Sequence, residues 1–244
     1  MRILIISDIH ANLAALEAVL DDARGDWDEM WFLGDLLGYG PDPNACGALL
    51  REQKPIVLTG NHDWAVLGKL DITTFNIQAR QAIEWTQAVL DEELRDFLLA
   101  QPARLIREPF LLAHASPRQP VWEYILDSGI AAANFEQMDA ATPIALVGHT
   151  HVPVLYSTTG TGGVRMATPV YGEAISLAGS RFIVNPGSVG QPRDGDPRAA
   201  YALLDTEELM WEYRRVAYPI GETQQRMRQQ QLPERLAVRL EYGW

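Results

Sequence analysis

Cysteine, lysine and long apolar runs are what this 244-residue chain has least of, and each scarcity excludes something. Cys46 is the one cysteine, so no internal disulfide framework and no thiolate cluster can form. Lysine occurs only at Lys54 and Lys69, and the formal net charge is -12. An extended nucleic-acid face needs clustered Lys and Arg to displace counterions, so none is expected. No segment approaches the roughly 18 consecutive apolar residues of a membrane span. The apolar stretch behind Arg2, Ile3 to Ile6, is too short for a signal-peptide core. A cytoplasmic protein without membrane attachment, a monomer or small homo-oligomer, is therefore expected. Hydrophobic residues make up 47% of the chain, ample for a large core and far from a disordered composition.

The five histidines are placed unusually. His10, His62, His114, His149 and His151 all sit in short polar punctuations that follow apolar runs: SDIHAN, TGNHDW, AHAS and GHTH. Asp35 in LGDLLGYG and Asn61 in GNHD add oxygen donors in the same kind of place. Ile3 to Ile6, Met30 to Leu33, Ile56 to Leu58, Leu111 with Leu112, Ala145 to Val147 and Arg181 to Val184 all end in Gly, Asp, Asn or His clusters. Read as buried strands, these runs bring the clusters to one sheet edge, where open α/β sheets bind ligands. Between the first two, Asn12 is an N-cap for a helix carrying Leu13, Leu16, Val19 and Leu20.

Residues 64–108 read as a helical insert, and residues 119–139 as one or two short helices. From Val152 to Tyr218 the pattern shifts to short strands, which suggests a second sheet packed on the first. A polar C-terminal helix is expected over about 222–240, within a single domain spanning 1–244. The fold class is α/β (α+β).

The chemistry follows from the donor types. Asp8 and His10 stand two apart, as do His149 and His151, and in an extended strand end such pairs point the same way. Imidazole with carboxylate suits Mn, Fe or Zn better than Ca or Mg. A carboxylate from a neighbouring strand end, Asp35, can bridge two cations. Each motif alone has a plain alternative: an Asp-x-His turn with a capping Asp, a semi-buried His114, or a GNHD turn stabilised by Asn and Asp. Together they point to a two-metal site. Such a pair, about 3.5–4 Å apart, stabilises both attacking and leaving oxygens in an in-line displacement.

In this ordered set, Asp-x-His, Gly-Asp, Gly-Asn-His-Asp, His and Gly-His-Thr-His, followed by Asn185-Pro186-Gly187-Ser188-Val189-Gly190, the chain resembles the calcineurin-like metallophosphoesterases, and within them the small bacterial phosphodiesterase-like members. The resemblance implies a four-layer sandwich of two mixed β-sheets flanked by helices. It implies that Asp8, His10, Asp35 and His151 hold one divalent ion and that Asp35, Asn61, His114 and His149 hold the other. Mn is the first expectation, with Fe, Zn, Ni or Mg as alternatives. It further implies a hydroxide between the metals as nucleophile, Asn61 and His62 on the phosphoryl oxygens, proton donation by His62, and orientation of His62 by Asp63.

The chain departs from the family pattern at Ala11 and Ala115, where glycine is common. It also has Leu36-Leu37-Gly38-Tyr39-Gly40-Pro41 where protein Ser/Thr phosphatases carry an Asp-Arg-Gly. That missing arginine favours a phosphodiester or nucleotide-type small molecule over a phosphoprotein. A metal-stabilised scaffold without activity is the other alternative, though relatives of that kind are expected to lose His62 or metal ligands. Substrate contacts are expected from Arg193, Tyr39 and Arg118, with Asn44, Arg80 and Trp122 as further candidates. For Arg193 the competing reading is a salt bridge to Asp194 or Asp196.

Overall fold

In the computed structural model, which describes residues 1–244, two six-stranded mixed sheets lie face to face with helices on both outer sides. The first sheet is built on three parallel strands, β1 (Arg2–Ile6), β2 (Glu29–Phe32) and β3 (Ile56–Val57). Antiparallel β11 (Ala199–Asp205), β12 (Met210–Val216) and β9 (Ala174–Ser176) extend it, giving the order β3-β2-β1-β11-β12-β9. The second sheet has β5 (Phe110–Ala113), β6 (Ile144–Leu146) and β10 (Phe182–Asn185) parallel at its centre. Antiparallel β4 (Arg104–Arg107) flanks them on one side, and β7 (Val154–Thr158) and β8 (Val164–Ala167) on the other.

Strand periodicity assigns the side chains to layers. Ile3 and Ile5 point into the inter-sheet core with Trp31, Leu112, Leu146, Val184 and Trp211. Leu4 and Ile6 point the other way, against α1 (Leu13–Asp22), α2 (Pro43–Glu52), α4 (Ile77–Val89) and α5 (Glu92–Leu99). On the far side, α6 (Ser128–Phe135) covers the second sheet through Ala131 and Phe135. Burial on both faces explains why β1 reads as an unbroken apolar run. Asn12 caps α1 as expected, its side chain accepting from the Ala15 N–H.

Three details differ from the sequence reading and one agrees with it. The helical stretch after residue 64 ends before 108: Arg104-Leu105-Ile106-Arg107 alternates and pairs with β5 as a strand. The tail is two helices, α7 (Ile220–Gln229) and α8 (Glu234–Tyr242), because Pro233 cannot continue a helix and disfavours helical backbone before it. Residues 119–139 hold one short helix, α6, within the one or two expected. The strands after Val152 do not form a sheet of their own; they are shared between both sheets. No helix is long and apolar enough to cross a membrane.

Candidate metal centre

The parallel strands of each sheet, β1, β2 and β3 in one and β5, β6 and β10 in the other, release their polar clusters toward a common place. Past β1 the chain does not stay extended. Asp8 and His10 are both left-handed, with φ of 55° and 47°, as are Asp35 (60°), Tyr39 (61°), His149 (66°) and His151 (60°). Non-glycine residues pay for that conformation, and such strain gathers at functional sites. The extended geometry expected for the Asp-x-His and His-x-His pairs is thus corrected: turns align the side chains, not strand pleats. Ala11, at φ 51°, occupies a backbone position that suits glycine, which accounts for the glycine common in the resembling family.

These turns are held by backbone bonds from Asp8 N–H to Gly34 O (2.9 Å) and from His10 N–H to Asp35 O (3.0 Å). The Asn-Pro-Gly-Ser-Val-Gly segment clamps them from the other side. Asn185 Nδ2 donates to Gly148 O (2.6 Å), Ser188 Oγ to Asp8 O (2.8 Å), and Gly190 N–H to Asp8 O (2.9 Å).

Two clusters result, Asp8 with His10 and His151, and Asp35 with His114 and His149; within each, the donor atoms all lie within 4.8 Å of one another. All are buried, no more than 2% exposed. Asp35 connects the clusters. Its Oδ1 accepts from the His62 N–H (2.9 Å), while Oδ2 has no hydrogen-bond partner and lies 3.6 Å from His10 Nε2 and 3.3 Å from His114 Nε2. Asn61 Oδ1 is 3.2 Å from His114 Nε2, joining the second cluster.

The tautomers can be read from the outer contacts. His10 Nδ1 donates to Leu37 O (2.8 Å), His114 Nδ1 to Leu33 O (2.9 Å) and His151 Nδ1 to Gln191 O (2.6 Å). A carbonyl only accepts, so the ring proton sits on Nδ1 and a neutral ring aims a bare Nε2 lone pair inward. His149 Nε2 is likewise buried without a partner. Orphaned inward-facing donors of this kind fit divalent cations.

Electrostatics agree. Burial lowers His10 and His151 well below the usual histidine range and takes His149 down to about 3, so all three are neutral ligands at neutral pH. Burial opposes charge on Asp35, but His114, His62 and His10 around it hold its carboxyl below the usual range. Burial also disfavours charge on His114, yet Asp35 and Asp8 lift it to about 9. Without a metal, His114 carries the positive charge that the acids demand.

His62 lies outside both clusters. Its ring packs against Tyr39 (4.4 Å between centroids), His10 (4.9 Å) and Phe75 (5.1 Å), and its Nδ1 has no partner. Two glycines make room here. A Cβ on Gly38 (φ +85°) would stand 2.5 Å from His62 Nδ1, and one on Gly60 would stand 2.1 Å from Asp35 Oδ1. Asp63 does not touch the His62 ring. Its carboxylate accepts three backbone N–H groups, from Asp35 (2.9 Å), Leu37 (3.0 Å) and Gly60 (2.9 Å). These bonds fasten the loop that carries Asp35 to the start of α3 (Asn61–Val66).

Tyr39 packs on the rings of His10 and His62, and Arg193 lies beside it. Arg193 bonds Gln191 Oε1 (2.7 Å) and Tyr39 OH (3.4 Å), and its guanidinium lies 5.7 Å from the Tyr39 ring centroid. The competing salt bridge is absent, because Asp194 pairs with Arg215 and Asp196 with Arg198 and Arg215. The Arg118 guanidinium is engaged by Glu123 beside α6. Asn44 ties α2 to Val89 and Asp91. Trp122 is 41% exposed and stands edge-on to Phe75 (5.2 Å). Sequence reasoning missed Tyr124, whose ring lies 3.9 Å from that of His149, because nothing in its local pattern marks it.

Two sheets meeting at paired Asp/His clusters define a dinuclear metal-site protein of the phosphoesterase type. The profile of the calcineurin-like phosphoesterase superfamily domain matches residues 1–209, and the chain belongs to that family. It is 36% identical over 248 residues to an uncharacterised protein of Methanocaldococcus jannaschii, covering 99% of this chain and 98% of that protein. It is 28% identical over 222 residues to the phosphodiesterase YfcE of Escherichia coli, covering 86% and 90%. A crystal structure of a metallophosphoesterase from Sphaerobacter thermophilus superposes with a TM-score of 0.90 at 46% identity, over all of both chains.

Proposed function

We propose that the chain hydrolyses a phosphodiester or nucleotide-type small molecule, with a pair of divalent ions, Mn first, held by Asp8, His10, Asp35 and His151 and by Asp35, Asn61, His114 and His149. The observation that carries this is Asp35 Oδ2, buried and unpartnered between histidine nitrogens of both clusters. Bound there, two cations supply charge neutralisation at the phosphoryl group and an acidified water. The chain's own groups do the rest. The Asn61 amide and the His62 ring bind non-bridging oxygens, and His62 holds the proton that the leaving oxygen needs. Burial lowers His62 to about 4, so an anionic phosphoryl group is what draws a proton onto it. Arg193 presents a guanidinium fork to an outer phosphate oxygen.

The rings of Tyr39 and Tyr124, 4.7 Å from His10 and 3.9 Å from His149 between centroids, with Arg193 beside Tyr39, favour a small substrate over the surface of a folded phosphoprotein. The phosphodiesterase named among the relatives supports the diester. We take the protein to be cytoplasmic, of one domain, acting alone or as a small homo-oligomer; a net charge of -12 with two lysines offers little for an extended nucleic-acid face. Hydrolysis of bis(p-nitrophenyl) phosphate with added Mn²⁺ tests the reading. Turnover that a chelator abolishes is expected, and a folded protein inactive with every divalent metal would overturn it.

A further inference from the structure

From His62, the group that meets the leaving oxygen, aromatic side chains continue outward. The Phe75 ring stands edge-on to His62 (5.1 Å between centroids, 77°), and the Trp122 ring stands edge-on to Phe75 (5.2 Å, 79°). Exposure rises along this series: His62 is buried, Phe75 half-buried and Trp122 exposed. The row leads from the proton donor to solvent.

Both outer rings are carried on backbone that is tied down. Phe75 stands between a single 3₁₀ turn (Ile72–Thr74) and α4, and its N–H donates to Ile72 O (3.1 Å). The Asp71 carboxylate caps the turn through the Thr73 N–H (2.9 Å), and Asn76 caps α4 through the Ala79 N–H (2.9 Å). Trp122 comes from the loop that follows His114, where Ala115 N–H donates to Pro120 O (2.7 Å). The next residue, Glu123, accepts from Ser116 Oγ (2.7 Å), Asn134 Nδ2 (2.8 Å) and the Arg118 guanidinium. Glu123 thereby anchors the segment between Trp122 and Tyr124, the ring that lies on His149.

An exposed indole is ordinary by itself. This one is held on an anchored loop, against a ring that itself touches the proton donor. Two rings near right angles form a corner in which a flat group can stack on one and meet the other edge-on. Arg118, on the same loop, is engaged by Glu123, so the corner offers ring faces rather than a free guanidinium. That suits a neutral base better than a second phosphate.

We propose that Phe75 and Trp122 form a subsite for a nucleobase carried by the leaving group. This rests on the hydrolase reading above and narrows it to diesters whose departing alcohol is a nucleoside. In that hydrolysis a water oxygen joins phosphorus and the P–O bond to the nucleoside breaks. The electron pair stays on the nucleoside oxygen, which takes the proton held by His62. Stacking of a base on aromatic side chains is strong enough to read as a change of about tenfold.

The test uses the methyl ester of adenosine 5′-phosphate on the Mn²⁺-loaded protein, because its two ester bonds compete within one molecule. Cleavage to adenosine and methyl phosphate should exceed cleavage to adenosine 5′-phosphate and methanol by about tenfold. In Trp122→Ala, and in Phe75→Leu, that partition should fall toward one, and Trp122→Phe should restore it. A partition within one substrate cancels differences in folding or metal loading, and Trp122→Ala alters an exposed side chain. An even partition in the unaltered protein, one favouring methanol release, or one that survives in Trp122→Ala overturns the subsite. Sedimentation checks another occupant: an oligomer lost in Trp122→Ala with the partition unchanged assigns the corner to a second copy and overturns it too. Should the ester not turn over, calorimetric titration against dimethyl phosphate still reads a Trp122-dependent preference for the base. Failure of the hydrolase reading and failure of the subsite are thus told apart.

Discussion

His10 Nε2 and His151 Nε2 face each other at 3.1 Å, and neither has a proton to place between them. Each ring has spent its proton on a backbone carbonyl, Leu37 for one and Gln191 for the other. Two lone pairs held this close repel, and both rings are buried away from water that could relieve them. The fold keeps this arrangement because the outer carbonyls fix the rings for a cation that binds between them.

Metal should therefore stabilise the folded chain strongly. A ligand at about 100 times its dissociation constant adds roughly 2.7 kcal/mol per site. His151→Ala removes one of the opposed lone pairs and one donor. Its metal-free melting temperature should stay near or above that of the unaltered protein, while most of the rise on adding Mn²⁺ disappears. Thermal scans with and without metal check this, and a variant that keeps the full rise would contradict the assignment of His151.

Metal loading should also release protons. At neutral pH His114, lifted to about 9, holds a proton, and Asp8, raised by burial to about 7, shares one. Both must leave before these atoms bind a cation, so about one to two protons are released at pH 7 and apparent affinity rises as pH increases. The sign follows from the raised folded values: the metal-free state binds protons that the loaded state cannot. Calorimetry in buffers of different ionisation enthalpy counts them, and no release would remove His114 from the ligand set.

How much of this was legible in sequence differs by residue. The donors were, because His and Asp after apolar runs are costly to bury without a purpose, and so was the two-sheet fold, carried by β1-type runs and the later short strands. The partition of strands between sheets was not, since β7, β8 and β10 look locally like β11 and β12 and only long-range pairing separates them. Left-handed backbone at Asp8 and His10 was also hidden, because neither residue type demands it. Tyr124 gave no signal, because it looks like loop filler and its position on His149 depends on tertiary docking.

His62 should be separable from the metals. His62→Ala is expected to retain both ions and lose about 10²–10⁴ in kcat, the usual contribution of a positioned acid. Gly38→Ala probes the same ring without deleting it. Its Cβ would fall 2.5 Å from His62 Nδ1 in a backbone conformation that disfavours alanine, so the ring must move. Metal content by elemental analysis should be unchanged, with kcat reduced. Loss of a metal in either variant would place His62 in the ligand set.

Asp63 decides between orienting a ring and holding a loop. Three buried N–H groups depend on its carboxylate, and leaving each unsatisfied costs about 1–3 kcal/mol. Asp63→Ala should therefore destabilise the protein by several kcal/mol, on the order of 10 °C in melting temperature for a chain of this size. Because two of the three groups belong to Asp35 and Leu37, the first carrying the shared carboxylate and the second the carbonyl that fixes His10, metal affinity should fall with stability. A residue that only oriented His62 would instead lower kcat and leave melting temperature and metal content unchanged. Asp63→Asn, which keeps one accepting oxygen and turns the other into a donor facing an N–H, should lie between the two in stability. Thermal scans and metal titration on the pair of variants settle which role the carboxylate has.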